Sequence, residues 1–195
     1  MNPDIHNFLE NIKIKLGAKT LKRIEENNSS GLISAAVLIP IAYIEGELVV
    51  LFTKRTGFVK NHQSQVSFPG GKIEIEDINP LSASLRETQE EIGILADEIE
   101  VLGRLEPQKT TTGFYVYPFI GFIHNLDRIQ VNPSEVEKII FIPLKWLQDS
   151  SNSHYELYQG KSTTQHSVLF YSLYEGEIVW GITASLIYEF ILIIK

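Results

Sequence analysis

The short stretch RETQEEIG at residues 86–93 contains three glutamates. If this stretch is helical, a rotation of about 100° per residue places Glu87, Glu90 and Glu91 within an arc of roughly 100°. Carboxylate oxygens are the ligands that hard divalent cations take, and Mg²⁺ also keeps water and substrate phosphate oxygens in its shell. Such an ion polarises a phosphoryl group and orients a water nucleophile. The cluster therefore predicts a Mg²⁺ or Mn²⁺ site for hydrolysis of a phosphoanhydride.

The helix that must carry these glutamates has sequence signals at both ends. Asn79 can cap its start, Pro80 suits its first turn, and Gly93 can end it in the left-handed conformation. On the side opposite the glutamates, four residues share an arc of roughly 60° and predict a core face. These residues are Leu81, Leu85, Thr88 and Ile92.

A solvated acidic face is the alternative to a metal site. In that case Arg86 would serve as the i,i+4 partner of Glu90 and offset the repulsion among the glutamates. Gly70 and Gly71 favour the metal site, because a Pro-Gly-Gly turn lets the backbone approach a ligand closely.

The remaining pattern predicts a mixed α and β protein. Residues 32–42 and 48–54 are β-rich and flank a turn at Glu45-Gly46, which predicts a hairpin. Further strands are predicted at 99–105, 114–124, 136–142, 155–158 and 166–173, and helices at 1–17, 144–146 and 182–194. Because no repeat or interdomain linker interrupts the chain, we expect one domain over residues 1–195, with residues 1–30 as an N-terminal helical extension.

Composition limits the possible partners. A balance of 17 basic and 24 acidic residues gives a net charge of -7, which argues against broad binding to nucleic acid or to an anionic membrane. The chain has no cysteine, which excludes disulfides and thiol chemistry and suits the cytoplasm. The apolar tail at 190–194 is too short to span a membrane, so we expect a buried helix end. The alternative is an exposed apolar patch that pairs two subunits in a homodimer.

The acidic stretch and its upstream glycine resemble the box of the Nudix hydrolase family. That box reads Gly, five residues, Glu, seven residues, then Arg-Glu-apolar-x-Glu-Glu-x-Gly-apolar, and the matching positions here are Gly71, Arg86, Glu87, Glu90, Glu91, Gly93 and Ile94. Thr88 replaces the usual apolar residue, and the spacing from Gly71 to Arg86 is one residue longer. Asp77 best meets the early acidic position, where we expect a turn or cap residue. The resemblance implies an α/β/α sandwich with a mixed central sheet.

The one-residue insertion is similar to that of the coenzyme A pyrophosphatase branch of this family. Residues 51–71 resemble a second pattern of that branch. The pattern begins with Leu-Leu-Thr-x-Arg-Ser/Ala and continues with Arg, Gly and Phe-Pro-Gly-Gly, each separated from the one before by three residues. Thr53, Arg55 and the spacing are kept, whereas the chain departs at Phe52, Thr56, Lys60 and Ser64. Shorter stretches at 112–118, 135–144 and 180–184 also resemble the branch. The implied reaction converts coenzyme A or acyl-CoA to 3',5'-ADP and 4'-phosphopantetheine or its acyl derivative.

Residue roles follow from this resemblance. Glu87 and Glu91 are the primary metal carboxylates, with Glu90 as a further or water-mediated ligand and the Gly71 carbonyl completing the shell. Arg86 orients the glutamates through a salt bridge.

The general base is either a carboxylate of the box, Glu90 or Glu91, or Glu135 from outside it. An ordinary exposed glutamate at a strand edge is the alternative for Glu135.

The substrate-binding residues are expected outside the box. Arg55 and Lys60 are candidates for phosphate contacts and His62 for a further substrate contact, against the alternative of solvated loop charges. Phe114 and Tyr115 can offer a ring to adenine, although alternation in a half-buried strand also explains such aromatics.

Two rival functions stay open. One is a Nudix enzyme for another nucleoside-diphosphate-linked substrate, such as ADP-ribose or a dinucleotide. The other is a non-catalytic nucleotide-binding module.

Overall fold

The computed structural model describes residues 3–17, 31–56, 65–159 and 165–195. Its helices are α1 (Pro3–Leu16), α2 (Pro80–Ile92), α3 (Leu144–Gln148) and α4 (Gly181–Ile194). Its strands are β1 (Ile33–Ile44), β2 (Glu47–Arg55), β3 (Val66–Ser67), β4 (Gly70–Lys72), β5 (Ile99–Arg104), β6 (Gln108–Lys109), β7 (Phe114–Ile123), β8 (Val136–Pro143), β9 (Ser153–Tyr158) and β10 (His166–Tyr171). Every predicted strand and helix is present with its ends within two residues of the prediction, and the structure adds the short strands β3, β4 and β6. Residues 1–2 and 18–30 of the predicted N-terminal extension lie outside the described residues.

Eight of the described strands form one mixed sheet. Its main order is β3-β2-β1-β7-β5, with β4 paired to β1, β6 to β7 and β8 to β2. β1 and β7 run parallel and the other pairs are antiparallel. The predicted β1–β2 hairpin turns at Glu45 and Gly46, whose φ angles of 48° and 94° are those of a hairpin turn with two left-handed residues. β9 and β10 pair separately, apart from this sheet.

Helices cover both faces of the sheet. On one face α1, α3 and α4 bury Leu9, Leu144 and Phe190 in a core with inward-facing strand residues. On the other face α2 contributes Ala83 and Ile92 to a second core. This arrangement confirms the predicted α/β/α sandwich with a mixed sheet.

The N-terminal helix and the C-terminal tail both pack into the first of these cores. α1 buries Ile5, Leu9, Ile12 and Leu16, one residue per turn of its inner face. In the tail, Phe190 and Ile191 are buried and Leu192 is exposed, so the helix end is mainly covered, as expected. None of the helices within the described residues is long and apolar enough to span a membrane.

The sheet opens between β1 and β2, and this opening positions the candidate site. The two strands pair from Ile41↔Val50 to the turn, and the segment with β3 and β4 then lies between them. β3 pairs with the end of β2, β4 pairs with the first half of β1, and the Leu38 N–H donates to the Pro69 carbonyl over 2.9 Å. Gly71 and Thr53 consequently border the same opening, and α2 packs across it against β1 and β4.

Candidate active site

The ends of α2 are fixed by local hydrogen bonds. The Asn79 side chain accepts from the Ser82 N–H over 2.9 Å, and the Asn79 N–H donates to Ser82 Oγ over 3.0 Å. At the other end Gly93 has φ 77° and donates its N–H to the Gln89 carbonyl over 2.9 Å. The predicted helix bounds are therefore confirmed, and Glu87, Glu90 and Glu91 lie in its last two turns.

The three glutamates of α2 differ sharply in burial. The Glu91 residue is 2% exposed, whereas the side chains of Glu87 and Glu90 are 14% and 50% exposed. Glu91 thus lies on the buried side of the helix with Thr88 and Ile92, which corrects the prediction of a separate acidic face. The reason is that α2 lies over the opening between β1 and β2, so its inner side faces Thr53 as well as apolar residues. Thr88 is accommodated there because its hydroxyl donates to the Ser84 carbonyl over 2.7 Å.

Glu91 is a buried acid with few compensating contacts. Its Oε2 lies 3.3 Å from Thr53 Oγ1, at the end of β2. Burial raises the pKa of Glu91 to about 8, the negative charges of Glu87 and Glu135 act in the same direction, and the Arg55 charge opposes them. A divalent cation between these carboxylates would supply the missing positive charge.

Glu87 is held between a glycine and an arginine. A Cβ atom on Gly71 would overlap the Glu87 carboxyl group, so the absence of a side chain at Gly71 makes room for that carboxylate. Burial raises the pKa of Glu87, while Arg86 opposes the shift. The predicted neighbours Gly71 and Glu87 are therefore brought together.

Arg86 links the candidate ligands to the loop before α2. Its Nη1 donates to Glu87 Oε1 and to Glu90 Oε2, each over 3.0 Å, as the predicted orienting salt bridge requires. The guanidinium also donates two hydrogen bonds to Asp77, from Nε to Oδ1 over 3.1 Å and from Nη2 to Oδ2 over 3.0 Å. Its Nη2 donates a further hydrogen bond to the Lys72 carbonyl. Asp77 accepts the Glu74 N–H as the predicted turn residue, and its contact with Arg86 is a further role that the sequence did not predict.

Replacing Arg86 with lysine tests this link. We expect a loss of about 10- to 100-fold in kcat/KM, because one ammonium cannot make the forked contact with Asp77 and still hold both glutamates. Steady-state kinetics at saturating Mg²⁺ give the measurement. As a control at ion pairs outside the carboxylate cluster, Lys13→Ala removes the contacts with Glu10 and Glu100 and should leave turnover unchanged. Wild-type kinetics for Arg86→Lys would contradict the orienting role.

The fourth carboxylate of the cluster is Glu135, just before β8. The Thr56 N–H donates to the Glu135 carbonyl over 3.0 Å, which holds this residue at the end of β2. Its negative charge raises the pKa of both Glu87 and Glu91, so the three carboxylates are close enough to interact electrostatically. Glu135 is thus one of the residues that the structure brings together.

Among the predicted substrate residues that the structure describes, Arg55 alone lies at this cluster. It ends β2 at a bulge, where Lys54 pairs with Lys138 but Arg55 pairs with Val136. The Arg55 Nε is buried and has no hydrogen-bond partner among the described residues. Its positive charge opposes the raised pKa of Glu91, although no ion pair joins these two side chains among the described contacts, and the unpaired Nε is a donor for a substrate phosphate.

The two aromatic residues predicted to bind substrate do not join the cluster. Lys60 and His62 lie outside the described residues. Phe114 and Tyr115 are neighbours in β7 and pack on opposite faces of the sheet, Phe114 against the core under α1 and α4, and Tyr115 against Tyr117. Period-two alternation along a strand forbids both from lining one pocket, and the sequence contained that signal. β1 also separates β7 from β4 and Gly71.

The donor set fits a hard divalent cation. Within the described residues no three acidic or histidine side chains already converge at metal-binding distance. The oxygen donors nevertheless lie side by side: Glu87 against Gly71, Glu91 one helical turn away and Glu135 within electrostatic reach of both. Mg²⁺ accepts such a set, since it needs few protein carboxylates and fills its remaining positions with water and phosphate oxygens.

The buried acid makes stability depend on pH. In chelator we expect the free energy of unfolding to fall as pH rises from about 5 to 8, because folded Glu91 keeps a proton that the unfolded chain has already lost. The destabilisation is absent below the unfolded pKa of 4.5 and complete above the folded value of about 8. Glu87 adds to the trend, whereas Glu100, with a lowered pKa, acts only at more acidic pH.

Thermal unfolding in EDTA between pH 5 and pH 9 measures this dependence. Added Mg²⁺ should raise the melting temperature more at pH 8 than at pH 6, because at pH 6 the cation must displace the proton. A melting temperature in EDTA that is constant or rises across this range would contradict the buried-acid assignment.

A sequence match over the whole sheet region identifies the family of this chain. The sequence profile of the NUDIX domain matches residues 33–161, from β1 to just beyond β9. The chain belongs to the Nudix family. The helices α1 and α4 flank the matched residues.

Relatives extend this Nudix match. A protein of Photorhabdus laumondii, described as an uncharacterized Nudix hydrolase NudL, is 35% identical over 168 residues, or 86% of either chain. A NudL of Yersinia enterocolitica is 37% identical over 153 residues, covering 78% of this chain and 77% of the relative. The solved structure of the Nudix hydrolase RenU from M. smegmatis covers 61% of this chain and 75% of its own, with TM-score 0.50 and 18% identity, and shows the shared fold. The prediction of a Nudix hydrolase is confirmed, and the names of the relatives specify no substrate.

Proposed function

We propose that this Nudix hydrolase cleaves the pyrophosphate bond of coenzyme A or acyl-CoA, with Mg²⁺ or Mn²⁺, to 3',5'-ADP and 4'-phosphopantetheine or its acyl derivative. The position of Arg55 is the observation that supports this choice of substrate. Its partly buried guanidinium lies beside Glu91 with a free Nε, at the position where the coenzyme A branch pattern has its first arginine. An arginine near the carboxylate cluster suits a diphosphate, because its planar guanidinium can donate two hydrogen bonds to phosphate oxygens.

Each residue of the cluster has a role in this proposal. Glu87, Glu91 and the Gly71 carbonyl hold the cation, and Glu90 holds it directly or through water. When bound, the cation polarises a phosphoryl oxygen and neutralises developing charge. Arg55 binds the diphosphate.

Glu135 takes the proton from the attacking water as the water oxygen bonds to one phosphorus. The bond from that phosphorus to the bridging oxygen breaks, and the other phosphate leaves with the bridging oxygen. Arg86 keeps the glutamates in place. Lys60 and His62 stay predicted substrate contacts, and the cytoplasmic location and a homodimer stay predictions as well.

Substrate competition tests the proposal. Coenzyme A, ADP-ribose and NADH at equal concentration in one reaction compete for the same site, and the ratio of their initial rates equals the ratio of their kcat/KM values. We expect 3',5'-ADP from coenzyme A to form fastest. Faster cleavage of ADP-ribose or NADH would replace the substrate and keep the chemistry, and cleavage of none would favour a nucleotide-binding module.

Arg55 should act mainly in substrate binding. We expect Arg55→Ala to raise KM for coenzyme A by about 10- to 100-fold, the value of one or two hydrogen bonds to a charged group. Lys54→Ala is the matched control, because the neighbouring Lys54 bonds to Glu177 rather than to the carboxylate cluster. Equal KM values for the two variants would contradict the phosphate contact.

A further inference from the structure

The loop between β7 and β8 is attached to the last turn of α2. The Gln130 N–H donates to the Ile92 carbonyl and the Asn132 N–H donates to the Glu91 carbonyl, each over 2.9 Å. A helix leaves its last carbonyls without partners inside the helix, and this loop supplies the partners. The backbone of Asn132 is therefore fixed to Glu91, whose side chain belongs to the carboxylate cluster.

The side chain of Asn132 forms hydrogen bonds with Ser134 and Glu135, which follow it in the loop. Its Oδ1 accepts from the Ser134 N–H over 3.1 Å and from Ser134 Oγ over 2.6 Å. Its Nδ2 donates to Glu135 Oε1 over 3.3 Å. Among the described residues, no other side chain donates a hydrogen bond to the Glu135 carboxylate.

We propose that Asn132 is a positioning residue that holds the Glu135 carboxylate at a fixed place relative to Glu91. The inference rests on the proposed function, in which Glu135 is the base and Glu91 binds the cation. One residue makes both connections, by its main chain to Glu91 and by its side chain to Glu135. The separation between base and cation site is thereby set within a single short loop.

The amide is chemically suited to this task. Arg55 and Arg86 already bring two positive charges to the carboxylates, so a further lysine or arginine beside Glu135 would oppose the binding of a cation. A neutral amide donates one hydrogen bond and adds no net charge. Thr56 completes the support, because its N–H and hydroxyl bind the carbonyls of Glu135 and Ser134.

A purely structural role is the alternative, because the Oδ1 contacts with Ser134 form a side-chain turn of the kind that asparagine often makes. The two roles use different ends of the amide. Asn132→Asp keeps an oxygen for Ser134 but replaces the Nδ2 donor with an acceptor that repels Glu135. Ser134→Ala does the reverse, since it removes the 2.6 Å contact and leaves the bond to Glu135 intact.

A double-mutant cycle separates these roles. Wild type, Asn132→Asp, Glu135→Gln and the double variant are compared on whichever of coenzyme A, ADP-ribose or NADH the wild type cleaves fastest, so an error in the proposed substrate does not affect the result. We expect Asn132→Asp to lower kcat by about 10- to 100-fold, with KM within about threefold and an unchanged melting temperature. Ser134→Ala should keep wild-type kcat.

The double variant shows whether Asn132 affects kcat through Glu135. If Asn132 acts through Glu135, adding Asn132→Asp to Glu135→Gln lowers kcat no further, because neighbours in one network are not additive. Wild-type kcat in Asn132→Asp, or the same factor lost again in the Glu135→Gln background, would overturn the inference.

Discussion

Replacing Glu91 with glutamine should lower turnover by about 1,000-fold or more and, at the same time, stabilise the metal-free protein. Loss of a charged ligand removes several kcal/mol of transition-state stabilisation by the cation, and each 1.4 kcal/mol is a factor of ten. In chelator at pH 7, the neutral amide no longer carries the cost of the raised pKa of Glu91, which should add about 2–3 kcal/mol to the free energy of unfolding.

Kinetics and denaturant unfolding in EDTA measure the two effects of Glu91→Gln. Glu10→Gln, on the exposed side of α1, is the control and should change the free energy of unfolding by less than about 0.5 kcal/mol. If the protein were a nucleotide-binding module, Glu91→Gln would keep ligand affinity. Unchanged turnover would refute the metal assignment.

The second large effect should come from two adjacent glycines that serve different purposes. Gly71→Ala should lower kcat/KM by about 100-fold or more, because its Cβ displaces the Glu87 carboxylate, while the backbone of Gly71 is not left-handed and the chain still folds. Gly70→Ala should instead destabilise the protein by about 3 kcal/mol or more, because Gly70 has φ 156° and its Cβ would meet the backbone of Ala36 and Val37.

Activity and thermal unfolding of the two glycine variants separate these purposes. Gly71→Ala should melt near the wild type, whereas Gly70→Ala should melt well below it. An active Gly71→Ala variant with normal metal affinity would contradict the placement of Glu87 against Gly71.

Local sequence signals predicted α2 and the hairpin well. Asn79, Pro80 and Gly93 act within one helical turn, and the structure confirms all three. The burial of Glu91 was not predictable in the same way, because it depends on Thr53, which lies 38 residues earlier in the chain. Helical periodicity assigns residues to faces, but it does not say which face the sheet covers.

The supporting contacts of the site share this long-range origin. Arg86 meets Asp77 nine residues earlier and the Lys72 carbonyl of β4, a strand whose place is set by pairing with β1. Asn132 meets Glu91 because the chain passes along the end of α2 after crossing the sheet. By contrast, the opposite orientation of Phe114 and Tyr115 follows from strand alternation and was available from the sequence.

Hydrolysis of coenzyme A in ¹⁸O-labelled water tests the central claim most directly. Products are identified by liquid chromatography and mass spectrometry, with Mg²⁺ or Mn²⁺ and with chelator. The proposed mechanism predicts metal-dependent 3',5'-ADP and 4'-phosphopantetheine, with one ¹⁸O in the product whose phosphorus the water attacks, and no product from Glu91→Gln. Products that form equally well in chelator, or that form at wild-type rate in Glu91→Gln, would contradict hydrolysis by a cation held at this cluster.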